Sequence, residues 1–253
     1  MEDSGTIRLD KKDGLATITL AHPTKLNALS ASLREKFGQA LAAVSEDDEV
    51  KVVLLRAEGR AFCAGADLKD APSTPLGWRD RVMLAQKHHV AIARMRKPVI
   101  AAVQGLAVGG GASLALVADI LIMADDAKLV FPFVRLGLVP DGGMAYLLQA
   151  KLNAATALEL LLSGGSMTAD EAHRVGLTRH LVPAAELDDF SEAYARKLCK
   201  LPPEAVMLTK ALCTQKWADG LERMLAHEAD AFALASSTPG HQNALKEMLS
   251  RKR

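Results

Sequence analysis

Between residues 99 and 123 the chain reads strand, glycine run, helix, strand, and this segment constrains the fold more than any other. Residues 99–103 form a short apolar run, the pattern of a strand buried on both faces of a parallel sheet. Gly105 and Gly109-Gly110-Gly111 follow, residues 112–118 read as an apolar helix, and residues 119–123 are a second apolar strand. Two strands joined through a helix form a parallel crossover unit, which predicts a layered α/β fold. The glycines need a physical reason, since glycine inside a helix costs about 1 kcal/mol relative to alanine. Two reasons stand open: tight packing of helix on strand, or close approach of free N–H groups at the helix start to a ligand. Nucleotide motifs do not fit. Leu114 stands where a dinucleotide fingerprint needs glycine, no lysine follows Gly111 before Lys128, and G-x-S-x-G is absent. The reading favours an oxygen other than a phosphate.

The flanking chain supplies the layers. Residues 6–9 and 15–20 alternate around Lys12-Asp13-Gly14, a turn signal. Residues 30–44 read as a helix capped by Ser30, and residues 50–56 as a buried strand. Residues 71–80 hold two prolines and a glycine and read as a mobile loop before a helix over 82–94. Beyond residue 141 the pattern is mainly helical: 158–162, 166–175 with a capping box at Thr168 and Glu171, 186–200, 203–216, 221–234 and 242–251. The expected organisation is a core over 1–195 and a helical region over 196–253 working with it. Leu221, Met224 and Leu225 would leave an apolar face for another copy to cover.

Aromatic residues make up only 4%, so the core must be built from Ala, Val, Leu and Ile. Lys and Arg number 31 against 30 Asp and Glu, which excludes the basic surplus of a nucleic-acid binder. Cys63, Cys199 and Cys213 form no CxxC pair, so neither a disulfide frame nor a metal site is expected. The first ten residues carry acids and no apolar run, and no stretch reaches about 18 apolar residues. The expectation is a cytoplasmic protein without a membrane partner. His88 and His89, adjacent in sequence, point in different directions on a helix and read as surface or rim residues.

A second small-residue turn, 59–68, follows the strand at 50–56. Two turns, each with an exposed N–H, could converge on one carbonyl oxygen as an oxyanion hole.

The ordered pieces Asn27-Ala28-Leu29, RAFCAGADL at 60–68, KPVIAAVQG at 97–105, GGGASLALVADI at 109–120, RLGLVPDGG at 135–143 and GLTRHLVP at 176–183 carry a resemblance. In them the chain resembles the crotonase, or enoyl-CoA hydratase/isomerase, superfamily from about residue 6 to 253. The resemblance implies an α/β crotonase-like ββα spiral with a C-terminal helical trimerisation region, assembled as a homotrimer or dimer of trimers. It implies acyl-CoA substrates and no separate cofactor, coenzyme A being part of the substrate. It places the backbone N–H groups of Ala66 and Gly110 on the thioester oxygen. Ala64, Gly65, Asp67, Leu68 and Gly109 would lie along the substrate and its coenzyme A. Lys25 or Lys69 would meet its phosphates, unless they are solvated surface charges. The C-terminal tail, Lys246 and Arg251 to Arg253, reads as a solvated helix face.

The chain also departs from the family pattern. Family hydratases use two glutamates, and their positions here hold Ser113 and Phe133. Hydration needs one group to activate water and another to manage the α-proton. A serine and a phenylalanine disfavour it, and Ser113 and Phe133 are read instead as substrate-contacting residues. Asp141 stands in a register where some members, including ring-epoxide isomerases, carry an aspartate. It is read either as the proton-shuttling base of a Δ3–Δ2 enoyl-CoA isomerase or as an N-cap of the helix near Gly143. A non-catalytic acyl-CoA binder, and a hydratase-like, lyase or hydrolase activity, are the competing readings. Nucleophilic use of Cys63 is disfavoured.

Overall fold

The computed structural model describes residues 5–250. The chain opens with a hairpin, β1 (Thr6–Lys12) and β2 (Leu15–Ala21), paired antiparallel. Asp13 (φ 52°) and Gly14 (φ 82°) both occupy the left-handed region that a two-residue turn of this hand requires. Helix α1 (Ala31–Glu46) starts where Ser30 accepts the Leu33 N–H at 3.2 Å, and buries Leu33, Phe37, Ala40, Leu41 and Val44. There follow β3 (Val52–Ala57), α2 (Pro75–Arg94), β4 (Val99–Val103), β5 (Leu106–Val108), α3 (Gly110–Val117), β6 (Ile120–Ala124) and β7 (Lys128–Val130). The later part comprises α4 (Met144–Lys151), α5 (Ala154–Ser163), β8 (Ser166–Thr168), α6 (Ala169–Arg174), β9 (His180–Val182), α7 (Leu187–Cys199), α8 (Pro203–Ser236) and α9 (Pro239–Ser250).

The strands form two sheets. The larger has the order β1-β2-β3-β4-β6-β9, parallel throughout except for the β1–β2 edge, and the smaller the order β5-β7-β8. The parallel crossover read from residues 99–123 is present, with Ile100 paired to Ile120 and Val103 to Met123. One apolar core runs from Leu15 to Leu225 and is built mainly of Ala, Val, Leu and Ile. A smaller cluster of Trp78, Val82, Leu138, Ala229 and Phe232 joins α2 to α8.

Several sequence expectations are corrected. Residues 75–80 are the first turns of α2, not a mobile loop. Thr74 accepts the Gly77 N–H at 3.1 Å and Pro75 sits in the first turn, where its missing N–H costs nothing. Residues 203–216 and 221–234 belong to one continuous helix, α8. Gly220 is retained inside it because Tyr146 fills the space a Cβ would need, with Tyr146 Oη 2.2 Å from that point. The strands β5, β7, β8 and β9 are three residues each, too short to show a period. Leu221 and Leu225 are buried within this chain (0% and 4% exposed) and Met224 is half-buried, so none leaves the open face expected of it. The exposed apolar side chains on α8 are instead Leu208, Leu212 and Leu234. The capping box at Thr168 and Glu171 forms as read. Arg251 to Arg253 lie outside the described residues, while Lys246 is exposed. Among the described residues no helix is long and apolar enough to cross a membrane.

Candidate active site

The two small-residue turns converge. The Val108 N–H donates to Cys63 O at 2.9 Å, and Cys63 and Ala107 form a parallel bridge. Contact is close enough to require glycine on both sides. A Cβ on Gly65 (φ 84°) would lie 2.6 Å from Val108 O, and one on Gly111 would lie 2.3 Å from Cys63 O. Of the two reasons considered for the glycine run, packing operates at Gly111, while Gly110 has open space where a Cβ would be.

The turn at 63–70 is held by named bonds. Leu29 N–H donates to Gly65 O (2.7 Å) and Asp67 N–H to Leu29 O (3.2 Å), so Ala66 between them turns its own N–H away from Leu29. Arg81 donates to Asp67 O and Asp70 O, each at 2.6 Å, with its guanidinium 5.4 Å from the Trp78 ring. Among the described residues neither the Ala66 nor the Gly110 N–H has a protein acceptor. Gly110 begins α3, where the helix dipole favours negative charge.

Both turns open onto a cavity of about 600 Å³. Ala64, Gly65, Ala66 and Asp67 line it from one turn, and Gly109 and Gly110 from the other. Lys25 and Lys69 border it, as do Phe133 and Asp141. The Leu68 backbone lies in a short 3-10 turn, and its side chain lies outside the described residues. Ser113 is fully buried and does not line the cavity. Its Oγ lies 2.9 Å from His89 Nε2 and donates to Gly110 O at 3.0 Å. Phe133 is 6% exposed and, with Trp78, Val82, Leu138 and Phe232, gives the cavity an apolar wall.

Asp141 is not a helix cap. Helix α4 starts after Gly143 with no side-chain cap, and Asp141 contributes only its backbone oxygen, 3.2 Å from Met144 N. Asp141 is half-buried, and its buried Oδ1 has no hydrogen-bond partner among the described residues. Burial pushes its pKa up to about 6 against the opposing pull of Arg81 and Arg34. Desolvation wins because the cations stand off: neither forms an ion pair with Asp141 among the described residues. A carboxylate poised near neutrality is matched to proton transfer.

Four residues of the site escaped sequence reading in whole or in part. Of the two histidines read as surface or rim residues, His88 is half-buried at the cavity, as a rim residue would be, and His89 is buried. His88 stacks edge-on against Phe37 and lines the cavity, His89 is 4% exposed, and burial lowers their pKa values to about 4 and about 3, so both are neutral. Arg81 and Glu228 are buried ionisable residues of α2 and α8. The available signal was periodic: Arg81 follows Trp78 by three, and Glu228 interrupts the stripe Leu221, Leu225, Phe232. Cys63 is buried and donates its thiol to Asn27 O at 3.2 Å, and burial pushes its pKa up to about 12, which agrees with a non-nucleophilic role. Among the described residues no group of three or more His, Cys, Asp or Glu is arranged to hold a metal.

Comparison with known proteins agrees with this architecture. The enoyl-CoA hydratase/isomerase family model matches residues 10–252. The chain is 34% identical over 244 residues to the 1,2-epoxyphenylacetyl-CoA isomerase of Escherichia coli, covering 94% of this chain and 93% of that protein. It is 32% identical over 249 residues to the crotonyl-CoA hydratase of Syntrophomonas wolfei, covering 98% and 96%. Among solved structures, OdaA of Pseudomonas aeruginosa superposes with a TM-score of 0.89 at 33% identity, covering 97% of this chain and 99% of that one. The chain belongs to the enoyl-CoA hydratase/isomerase family and has the crotonase fold of its enzymes.

Proposed function

We propose that this chain is an acyl-CoA enzyme whose reaction is double-bond isomerisation, Δ3 to Δ2, with Asp141 as the group that moves the proton. The observation that carries this reading is Asp141, half-buried with its Oδ1 buried and without a hydrogen-bond partner among the described residues, lining the same cavity as Ala66 and Gly110. In the proposed reaction the thioester oxygen accepts from those two N–H groups, and Asp141 takes a proton from the α-carbon. The charge moves onto the oxygen as an enolate, and Asp141–H returns the proton at the γ-carbon. Water takes no part, and Phe133 keeps the wall at the second glutamate position apolar, where a low dielectric strengthens the N–H contacts. Ser113 holds its hydroxyl against His89 and Gly110 rather than in the cavity, which leaves it no role in activating water. Lys25 and Lys69 at the border are proposed to meet the phosphates of coenzyme A, with Ala64, Gly65, Asp67 and Leu68 along its chain.

A ring-derived acyl group is the second reading. The aromatic wall of Trp78, Phe133 and Phe232 suits it, as does the similarity to an isomerase named for a ring epoxide. Both readings include assembly as a homotrimer or dimer of trimers and a cytoplasmic location. The test is a comparison of rates on a 3-enoyl-CoA, followed by the absorbance of the conjugated product, and on crotonyl-CoA, followed by hydration. Isomerisation is expected to dominate by a wide margin. Equal rates would overturn the reading, and failure to bind any acyl-CoA would overturn the whole class.

A further inference from the structure

A second carboxyl group reaches the turn that carries Asp141 and is unused in the mechanism above. Glu228 on α8 is 5% exposed. Its Oε2 accepts the Gly143 N–H at 2.7 Å, and its Oε1 has no hydrogen-bond partner among the described residues. Gly143 lies two residues after Asp141 and has φ 77°; a Cβ there would lie 2.1 Å from Leu221 Cδ1. Helix α8 thus presses on the 141–143 turn with Leu221 and bonds to it, two helical turns later, with Glu228. A carboxylate on an apolar helix face is costly unless it is held by partners or stays neutral. Methionine would pack there without that cost, so its presence asks for a reason.

We propose that Glu228 is a positioning residue for Asp141: it fixes the 141–143 turn through the Gly143 N–H and limits how much negative charge the buried carboxylate pair holds. This rests on the isomerase reading above. The charged groups around the pair are few. Arg34 on α1 and Arg81 on α2 act on Asp141, and Asp141 acts on Glu228. His89 on α2 approaches the intervening Gly142 and is neutral. His227 and Asp230 of α8 are exposed, Asp230 pairing with Arg79, and His241 on α9 bonds to Leu136 O. Burial, with the charge on Asp141 adding to it, raises the Glu228 pKa to about 8, above the value of about 6 for Asp141. Between these values the pair carries one charge, on Asp141, the state a base requires. Above the upper value a second charge forms beside it. Asp141 then yields its proton to the γ-carbon less readily, and the enolate faces two negative groups.

The experiment uses the full chain with Glu228→Gln, which keeps an oxygen for the Gly143 N–H and cannot ionise. With a 3-enoyl-CoA the wild type is expected to give a bell-shaped rate profile with limbs near about 6 and about 8. E228Q is expected to keep the acid limb and lose the alkaline one. Glu228→Met, which also removes the acceptor, is expected to lower kcat by about tenfold more than E228Q at similar KM, the worth of one such bond. Infrared spectra without substrate give a readout independent of activity: a protonated carboxylic-acid band at neutral pH, lost as the pH rises through about 8 and absent from E228Q. An alkaline limb unchanged in E228Q, or no such band in the wild type, overturns the proposal. A wild type that has the band but isomerises no 3-enoyl-CoA overturns the isomerase reading instead. Should E228Q not fold, the wild-type infrared titration decides.

Discussion

At the residue scale the proposed isomerisation rests on Asp141. Asp141→Asn keeps shape and burial and removes the base. Turnover of a 3-enoyl-CoA is expected to fall by about 10²–10⁴-fold with binding nearly intact, measured by steady-state kinetics and calorimetry. Full activity in the variant would show that Asp141 only shapes the turn. The raised pKa also has a consequence for stability. A carboxyl raised to about 6 in the folded state binds its proton more tightly than in the unfolded chain. Its contribution is therefore fully present below the ordinary carboxylate range and is lost as pH rises through about 6. Near neutrality the folded protein carries this cost, and D141N does not. The variant is expected to melt at a higher temperature than the wild type at neutral pH, the difference shrinking well below pH about 6. A difference that does not change with pH would show that Asp141 is not the strained group.

At the element scale the site depends on two turns held at a fixed separation. Gly65→Ala places a Cβ on Val108 O at 2.6 Å in a left-handed conformation, so the turns must part. The loss of one oxyanion donor is typically worth about 10²–10³ in kcat, and a fall of that order is expected with α-helical circular dichroism unchanged. A wild-type kcat in the variant would separate the turns from the chemistry. Farther from the cavity, Lys210 on α8 pairs with Asp119 at 2.6 Å and donates to Ile92 O and Lys97 O, tying α8 to the end of α2 and the start of β6. Lys210→Ala would leave Asp119 without this partner and is expected to cost about 3–5 kcal/mol in urea unfolding. A cost under about 1 kcal/mol would mean that water replaces the ammonium group.

On the scale of the whole molecule, α8 leaves Leu208, Leu212 and Leu234 exposed at 59%, 82% and 72%. These side chains suit burial against other copies. Light scattering is expected to give three or six times the 27.0 kDa chain mass at micromolar concentration. Leu212→Glu should shift that mass downward, and a wild type already stable as a single chain would end the trimer proposal.

The sequence by itself determined the layered α/β class, the crossover around β4 and β6, the two small-residue turns and the carboxylate at 141. These depend on local pattern: apolar runs, glycine where backbones meet, and the order of motifs along the chain. It misread residues 75–80 because a Pro-Gly segment signals a loop and a helix start alike, and only Trp78 packing on Phe232 selects the helix. It left Asp141 divided between cap and base, since both demand the same residue type at the same place. The absence of a cap bond removes the first reading, and burial of Oδ1, which depends on where α1 and α2 come to lie, supports the proposed second. Glu228 is the clearest case. It lies 85 residues from its partner Gly143, so nothing local marks it except an acid on an apolar stripe. Long-range packing of α8 against the 141–143 turn buries that acid and sets it on the Gly143 N–H, and burial, not residue type, sets how a carboxyl holds its proton.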